Sequence, residues 1–388
     1  MRQSAERFAQ GLVDVIRARY GTHDFIPLHA PRFGARDREL VLAALDSSFV
    51  SSVGPHVDAF ESALRAFTGA DFAVATVNGT AALHMALLLA GVRPDEEVIT
   101  QSITFVATCN AISYCRAQPV FVDIERETLG LSPDSLSAFL EAHAEIRDDG
   151  QCWNRDTGRL IRACLPMHTC GHPTRIAAIA AICAQWHLML VEDAAESLGS
   201  FYRGRHTGLF GQVAAVSFNG NKVITTGGGG MILTNDETLA RRARHLTTTA
   251  KLPHPYLFVH DEVGFNYRLP ALNAALGCAQ MEALPDYLAR KRKLAEQYAD
   301  WFAATDRTFV REPVGASSNY WLNAFLARDG EERDRILEFT NARGVMTRPL
   351  WTPMHSSPAF RDCQRAELPD SEWIAARLVE LPSSVPPG

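Results

Sequence analysis

The sequence predicts an α/β fold in which a mostly parallel sheet is covered by helices on both faces. Six short apolar runs lie between about residues 70 and 235, helical stretches separate most of them, and the apolar residues within each run are nearly continuous. Continuous rather than alternating apolar residues are typical of strands buried on both faces. The predicted strands are residues 72–77, 97–101, 119–123, 161–167, 188–192 and 213–218, and the predicted helices include 81–90, 133–143 and 173–186.

The C-terminal third predicts a second, smaller α/β unit. A long helical stretch spans residues 271–305, and Pro285 predicts a break or kink because proline cannot donate a helical hydrogen bond. A further helical stretch and two apolar runs follow it, and the Pro/Ser-rich end at 381–388 is expected to be loosely held. We predict an N-terminal arm or helix at residues 1–35, a large domain at 36–250, and a linker helix with a small domain at 251–388.

Composition excludes several classes of partner and site. The net charge of -6 and the lack of a dense Lys/Arg cluster argue against nucleic acid. The longest apolar stretch, residues 81–92, is shorter than the ~20 residues that a membrane-spanning helix needs, and residues 1–20 lack the apolar centre of a signal peptide. We therefore expect a cytoplasmic protein without membrane contact, with its eight cysteines reduced. His168, Cys170 and His172 match no zinc pattern, so no metal site is predicted.

The residues that follow the predicted strands carry the functional signal, because ligands bind at the carboxyl ends of parallel strands. Asn78, Gly79 and Thr80 leave one strand and enter a helix, whose first backbone N–H groups can bind an anion. Gly79 permits close approach and Thr80 adds a hydroxyl, although a plain turn with Thr80 as N-cap is the alternative. Phe105 follows the next strand, where its ring either stacks on a flat cofactor or lies in the core.

Three more residues extend this set along the chain. Asp193 ends a predicted central strand, where its carboxylate either meets a cation such as a protonated pyridine nitrogen or caps a helix. Ser217 ends the following strand and offers a hydroxyl to a phosphate. Lys222 lies between that strand and the glycines of residues 227–230, and a solvated loop lysine is the alternative. An anion site, a ring, a carboxylate and an amine are together what pyridoxal phosphate requires.

Five motifs then resemble those of the DegT/StrS-type nucleotide-sugar aminotransferases, at residues 78–84, 101–108, 191–197, 217–230 and 263–268. The resemblance runs in order across nearly the whole chain. It implies the aspartate-aminotransferase-like fold (fold type I of pyridoxal-phosphate transferases) and a homodimer with active sites at the subunit interface. By position, Lys222 matches the Schiff-base lysine and Asp193 the partner of the pyridine nitrogen. The positions that match cofactor contacts are Gly79, Thr80 and Ser217 for the phosphate, Phe105 for ring stacking, and Asn266 for the phosphate contact lent by the neighbouring subunit.

Within this family the sequence most resembles the branch that aminates C4 of a nucleotide-linked 2-acetamido-4-keto-6-deoxy sugar on routes to legionaminic acid or bacillosamine-like products. The likeness lies at residues 166–173, 217–222, 245–249 and 348–355. It implies a UDP- or GDP-linked substrate and L-glutamate as amino donor, with Arg268, Arg348 and His355 as candidate substrate contacts or, alternatively, salt-bridge residues. The alternatives are a non-enzymatic nucleotide or sugar-phosphate binder, or an aminotransferase for another keto sugar or a keto-inositol.

Two positions depart from the family pattern. Glu196 stands where a glutamine commonly lies near the 3-oxygen of the cofactor, and a second carboxylate there repels the ring phenolate unless it is protonated or turned away. Residues 227–230 are all glycine where a glutamate is usual. Neither position indicates which groups of the site donate and accept protons.

Overall fold

The computed structural model of the protein describes residues 2–387, with side chains from Ala5 onward. The helices are α1 (Arg2–Tyr20), α2 (Ala35–Asp46), α3 (Pro55–Thr68), α4 (Gly79–Leu89), α5 (Val106–Tyr114), α6 (Pro133–His143), α7 (Ile176–Gln185), α8 (Glu237–Thr247), α9 (Ala271–Ala303), α10 (Gly330–Asn341) and α11 (Pro369–Ala375). The strands are β1 (Phe72–Thr76), β2 (Glu97–Gln101), β3 (Gln118–Val122), β4 (Ala144–Ile146), β5 (Cys152–Asn154), β6 (Ile161–Leu165), β7 (Met189–Asp193), β8 (Phe201–Tyr202), β9 (Arg205–His206), β10 (Val213–Ser217), β11 (Gly230–Thr234), β12 (Thr308–Phe309), β13 (Ala316–Ser317), β14 (Asn323–Leu326), β15 (Arg348–Pro349) and β16 (Leu378–Leu381).

A seven-stranded sheet with the order β1-β11-β10-β7-β6-β2-β3 forms the centre of the larger part of the chain. The pairs from β10 through β7, β6 and β2 to β3 are parallel, whereas β11 pairs antiparallel with both β10 and β1. The predicted α/β class with a mostly parallel sheet is therefore confirmed. The sequence missed β11, because the glycines before it indicated only a turn.

Helices cover both faces of this sheet, as the alternation of side chains along β10 illustrates. Val213 and Ala215 pack in a cluster with residues of α4, α5 and α8. Ala214 and Val216 pack in another cluster, with residues of α3 and α9. Because successive side chains of a strand point to opposite faces, one short apolar strand contributes to both cores. Packing on both faces holds β10 in place, and Ser217 lies at its carboxyl end.

A second, antiparallel sheet with the order β12-β14-β16-β15 lies in the C-terminal part of the chain. Its core combines residues of α1, α10 and the C-terminal half of α9. The helix α9 runs unbroken through Pro285 over 33 residues, so a break is wrong there, while the alternative of a kink stays a prediction. Proline removes one hydrogen bond of a helix, and the apolar packing of α9 on both sides of Pro285 compensates for that loss.

The C-terminal end is also more ordered than its composition indicates. Leu381 and Ser383 are fully buried, and the Ser383 hydroxyl oxygen accepts a hydrogen bond of 2.8 Å from the backbone N–H of Asn323. The expectation of a loosely held end is wrong for these residues. The predicted domain bounds remain a prediction, and Met1 and Gly388, which begin and end them, lie outside the described residues. Within residues 2–387, the structure contains no helix with the length and apolar character to cross a membrane.

Candidate active site

A cavity of about 290 Å³ lies at the carboxyl ends of the central strands. Asp193 ends β7 and Ser217 ends β10, while the segment after β1 supplies the start of α4. The wall includes seven of the predicted site residues: Gly79, Thr80, Phe105, Asp193, Glu196, Ser217 and Lys222. Trp321 and Trp351, from the C-terminal part of the chain, complete the opposite side. The fold therefore brings together chemical groups that are spread over more than half of the sequence.

The start of α4 forms one end of this cavity. The Asn78 side chain caps the helix by accepting a 2.7 Å hydrogen bond from the backbone N–H of Ala81, so the N-cap is Asn78 and not Thr80. A Cβ atom at Gly79 would lie only 2.7 Å from the Cβ of Ser217, which is closer than carbon atoms approach. Glycine thus lets the helix start pack against Ser217, and the backbone N–H groups of this first turn provide an anion-binding site.

Asp193 occupies the buried floor of the cavity, with 2% of its surface exposed. One carboxylate oxygen accepts a 2.7 Å hydrogen bond from the Thr108 hydroxyl, and the other accepts a 3.1 Å hydrogen bond from the backbone N–H of Ala195. No helix starts at this point among the described residues, so helix capping does not explain the acid. Burial raises the pKa of Asp193, while Thr108 and the nearby Lys222 oppose the rise. A cation beside Asp193 stabilises the ionised carboxylate and so opposes this rise in pKa.

Lys222 lies in the loop between β10 and β11, and its side chain is 13% exposed. Its amine nitrogen lies 3.3 Å from a carboxylate oxygen of Glu196 and 4.0 Å from the ring centroid of Trp321. This distance gives a cation–π contact with the charged amine. The structure thus excludes the solvated-loop alternative. Trp321 could not be predicted from the sequence, because a tryptophan in an apolar run is indistinguishable from a core residue.

Glu196 is buried beside Lys222. Besides the lysine, it accepts a 2.9 Å hydrogen bond from the backbone N–H of Cys170. Burial raises the pKa of Glu196 to about 7, against the attraction of Lys222. This carboxyl group lines the cavity and is not turned away from it.

Phe105 precedes α5, and its ring is 48% exposed, unlike a core residue. It meets Trp351 edge to face at a centroid distance of 6.1 Å. An exposed ring on the cavity wall can pack against a flat group within it. The exposure favours the cofactor-stacking interpretation over the core alternative.

Four predicted residues do not line this cavity. Arg268 is buried and bonds to Glu61 at 3.1 Å, which matches its salt-bridge alternative. His355 is held by the Ser102 hydroxyl at 2.7 Å, and Arg348 lies exposed on β15, opposite Glu380 in register. Asn266 is exposed and pairs with Thr248 through an isolated β-bridge.

The histidine- and cysteine-rich turn after β6 is occupied by internal contacts. His168 bonds to the buried Glu192 at 3.0 Å, and the Cys170 thiol lies 3.9 Å from Glu380. Elsewhere in the described chain, one group with possible metal-ligand geometry consists of His245, Asp261 and Glu262. Arg242 already pairs with Glu262, which weakens that group as a cation site.

The profile of the DegT/DnrJ/EryC1/StrS aminotransferase family matches residues 31–386 of this chain. EpsN of Bacillus subtilis (strain 168), provisionally named as a pyridoxal phosphate-dependent aminotransferase, is 35% identical over 339 residues, covering 87% of this chain and 84% of EpsN. GDP-perosamine synthase of Escherichia coli O157:H7 is 33% identical over 359 residues, covering 92% and 93%. Among solved structures, the aminotransferase TlmJ from Streptoalloteichus hindustanus superposes with a TM-score of 0.83 at 28% identity, covering 92% of this chain and 93% of TlmJ.

Proposed function

The chain belongs to the DegT/DnrJ/EryC1/StrS aminotransferase family, and we propose that it transfers an amino group to C4 of a nucleotide-linked 2-acetamido-4-keto-6-deoxy sugar. Like the other members of the family, it is a pyridoxal-phosphate-dependent sugar aminotransferase with a type I fold. The observation that carries the proposal is the contact set of Lys222, whose amine lies on the same cavity as Asp193 and the start of α4. L-glutamate is the proposed amino donor.

The cavity fits the cofactor at each of its chemical groups. The close approach of Gly79 to Ser217 leaves backbone N–H groups and hydroxyls at the end where a phosphate would bind. The buried carboxyl group of Asp193 suits a protonated ring nitrogen, and the exposed ring of Phe105 suits a face of the pyridine. Lys222 supplies the amine.

The residues of the chain have separate tasks in this reaction. Bound pyridoxal phosphate supplies a carbonyl that carries the amino group and a ring that withdraws electrons. Lys222 binds the cofactor through its amine and, once released, its Nζ atom removes and returns the proton at the reacting carbon. Asp193 keeps a proton on the ring nitrogen, since Thr108 and Ala195 hold its carboxylate in place. Trp321 covers the amine, with its ring centroid 4.0 Å from Nζ.

The proposed substrate class rests on the relatives and on the shape of the cavity. Several relatives are named GDP-perosamine synthases, which supports a nucleotide-linked acceptor. The aromatic wall of Phe105, Trp321 and Trp351 suits the apolar face and methyl group of a 6-deoxy sugar. The motif likeness at residues 348–355 favours the 2-acetamido branch, and we retain Arg348 and His355 as candidate contacts of the nucleotide sugar.

A direct assay tests the substrate proposal. The purified enzyme with pyridoxal phosphate and ¹⁵N-glutamate is given UDP-, GDP- or TDP-linked 4-keto-6-deoxy sugars, with and without the 2-acetamido group, and in parallel a keto-inositol. Mass spectrometry should detect a ¹⁵N-labelled amino sugar from a 2-acetamido substrate. Labelled product only from sugars without that group would reject the branch, and product only from a keto-inositol would reject the sugar-nucleotide class.

We also propose that the enzyme is a homodimer in which Asn266 of one subunit contacts the cofactor phosphate of the other. Asn266 is exposed within its own chain, and the nearby segment presents large apolar side chains to solvent, with Tyr256 and Phe258 each 78% exposed and Val263 85% exposed. Such exposure favours a surface that is covered by a second subunit.

The eight cysteines are free, which suits the reducing cytoplasm where we place the enzyme.

Mixed dimers test the shared site. Lys222→Ala and Asn266→Ala should each inactivate the enzyme, because each removes a different part of the shared site. When the two variants are dissociated and reassociated together, hybrid dimers should contain one intact site. The mixture should then recover roughly a quarter of the wild-type activity. The controls are the two variants treated separately. No recovery in hybrids that light-scattering measurements show to be dimeric would place Asn266 in the site of its own subunit.

A further inference from the structure

Three buried carboxyl groups lie with one partly buried lysine at the junction of the two sheets. Asp193, Glu196 and Glu380 are 2%, 3% and 4% exposed. Asp193 and Glu196 line the cavity, whereas Glu380 belongs to β16 of the smaller sheet. The Lys222 amine contacts Glu196. Three ionised acids with one ammonium group would leave excess negative charge away from water, which is costly.

Cys170 joins two of these acids. It lies in the turn Thr169–Gly171 with a left-handed backbone, at φ 57°. Its backbone N–H donates a 2.9 Å hydrogen bond to one oxygen of Glu196, and its thiol approaches an oxygen of Glu380 at 3.9 Å. A single residue thus touches the acid of the active site and the acid of the smaller sheet.

The donors around the two acids are unequal. Glu196 receives a hydrogen bond on each oxygen, one from Cys170 and one from the Lys222 amine. Glu380 receives the thiol, which is a weak donor. Because charge-assisted hydrogen bonds favour the ionised form, the negative charge belongs on Glu196 and the proton on Glu380.

We propose that Glu196 and Glu380 hold one proton between them, so that Glu380 is a positioning residue that sets, through Glu196, the charge facing the Lys222 amine. The proposal rests on the proposed role of Lys222. A glutamate is compatible with position 196, where glutamine is common in the family, because the proton on Glu380 keeps the two acids at a single negative charge. The negative charge of the pair thus lies on Glu196, next to the amine that exchanges protons during the reaction.

The surrounding charges agree with a shared proton. Burial and repulsion by Glu196 raise the pKa of Glu380 to about 8, against the weaker attraction of Lys222 and Arg348. Burial raises the pKa of Glu196 to about 7, with Lys222 and the Cys170 N–H opposing and Asp193 adding repulsion. The pair therefore carries its second negative charge only on the alkaline side of neutrality. Burial and the two acids also raise the pKa of the Cys170 thiol, which stays protonated.

Infrared spectroscopy of the holoenzyme tests the shared proton without using activity. With ¹³C-labelled glutamate, the wild-type protein at pH 7 should show the carbonyl band of a protonated buried carboxyl group, and the band should fade as the pH rises past 8. The component that fades past pH 8 should be lost in Glu380→Gln, which leaves only the component that Glu196 contributes at lower pH. It should be kept in Glu367→Gln, a matched change at an exposed glutamate of the same part of the chain. Absence of the band in the wild type, or survival of the component that fades past pH 8 in a folded Glu380→Gln, would overturn the proposal. The wild-type titration decides the question even if that variant fails to fold.

The absorbance of the bound cofactor tests the link to Lys222. Its pH transition should move toward lower pH by about one unit in the double variant Glu196→Gln/Glu380→Gln, and this shift should exceed the sum of the two single shifts, because either acid alone still carries the charge. A double variant that shifts no further than Glu196→Gln would overturn the role of Glu380. Failure of borohydride to fix the cofactor on Lys222 would instead reject the proposed function, while the infrared result would still decide the proton.

Discussion

Glu192 and Glu196 are four residues apart and equally buried, yet their surroundings differ in kind. Glu192 is bonded by His168 at 3.0 Å and by three backbone N–H groups, of Gly208, Phe210 and Gly211, at 2.8, 2.6 and 2.7 Å. Glu196 receives one backbone N–H and the Lys222 amine. Burial raises the pKa of Glu192, but His168 and the backbone donors outweigh it and the pKa is lowered overall. For Glu196, burial wins and the pKa rises to about 7.

The two acids therefore have different roles: Glu192 is structural, and Glu196 lies beside the reactive lysine. An acid with donors for all of its lone pairs keeps a fixed charge and holds loops together, as Glu192 does for the turn at Gly208 and Gly211. An acid with few donors exchanges its proton near neutral pH, and such acids occur in active sites. The number of donors, rather than burial, therefore separates the anchor of the loop from the group beside the reactive lysine. The following variants test this division.

Lys222→Ala should lower kcat by roughly 10⁴-fold, because the amine that moves the proton is removed. Cofactor should still bind without a covalent link, which equilibrium dialysis can measure. The matched control is Lys293→Ala, at an exposed lysine of α9, which should keep wild-type kcat. Turnover within tenfold of the wild type in Lys222→Ala would remove the lysine from the chemistry.

Asp193→Asn should lower kcat by roughly 10²–10³-fold, since the amide cannot hold the ring nitrogen protonated. The side chain keeps its shape and its contact with Thr108, so the thermal midpoint should change little. Steady-state kinetics together with calorimetry checks both statements. Wild-type kcat in this variant would show that the ring nitrogen needs no acid here.

Those two positions illustrate how much of the site the sequence could predict. Asp193, Gly79 and Lys222 were identified because the ends of apolar strands, turn glycines and a lysine beside them are local patterns. Trp321 and Glu380 were not, since their contacts with Lys222 and Cys170 depend on how the smaller sheet packs against the larger one. Local propensity also failed where packing overrode it, as at Pro285 within α9.

Glu192→Gln should destabilise the protein by about 3 kcal/mol while leaving the kcat of the folded fraction near that of the wild type. The amide turns N–H donors toward backbone N–H groups and leaves His168 without its partner. Because the pKa of Glu192 is lowered on folding, its contribution is present above the ordinary value of 4.5 and is lost as the pH falls through the lowered pKa. The deficit in thermal midpoint should therefore shrink in acid. A constant deficit would contradict the fixed-charge role.

Glu196→Gln should change kcat at neutral pH by less than about tenfold, because the amide oxygen still accepts one of the two hydrogen bonds and no reacting atom is removed. The sign of its stability effect is opposite to that of Glu192. Its pKa is raised on folding from 4.5 to about 7, so the wild type loses stability as the pH rises through that window, and the variant does not. The thermal midpoint of the variant should gain on the wild type between pH 4.5 and 7, and parallel curves would show that Glu196 does not titrate.

Borohydride reduction of the holoenzyme, followed by peptide mass mapping, identifies the lysine that binds the cofactor. The chain offers a second buried lysine, Lys291, whose pKa is lowered by burial to about 7 and which is therefore also a nucleophile near neutral pH. It bonds to His29 and to backbone carbonyl groups instead of lining the cavity. We expect the reduced pyridoxal group on the peptide that contains Lys222 and none on the peptide that contains Lys291. Labelling of Lys291, or of neither lysine, would contradict the assignment of Lys222 as the lysine that binds the cofactor.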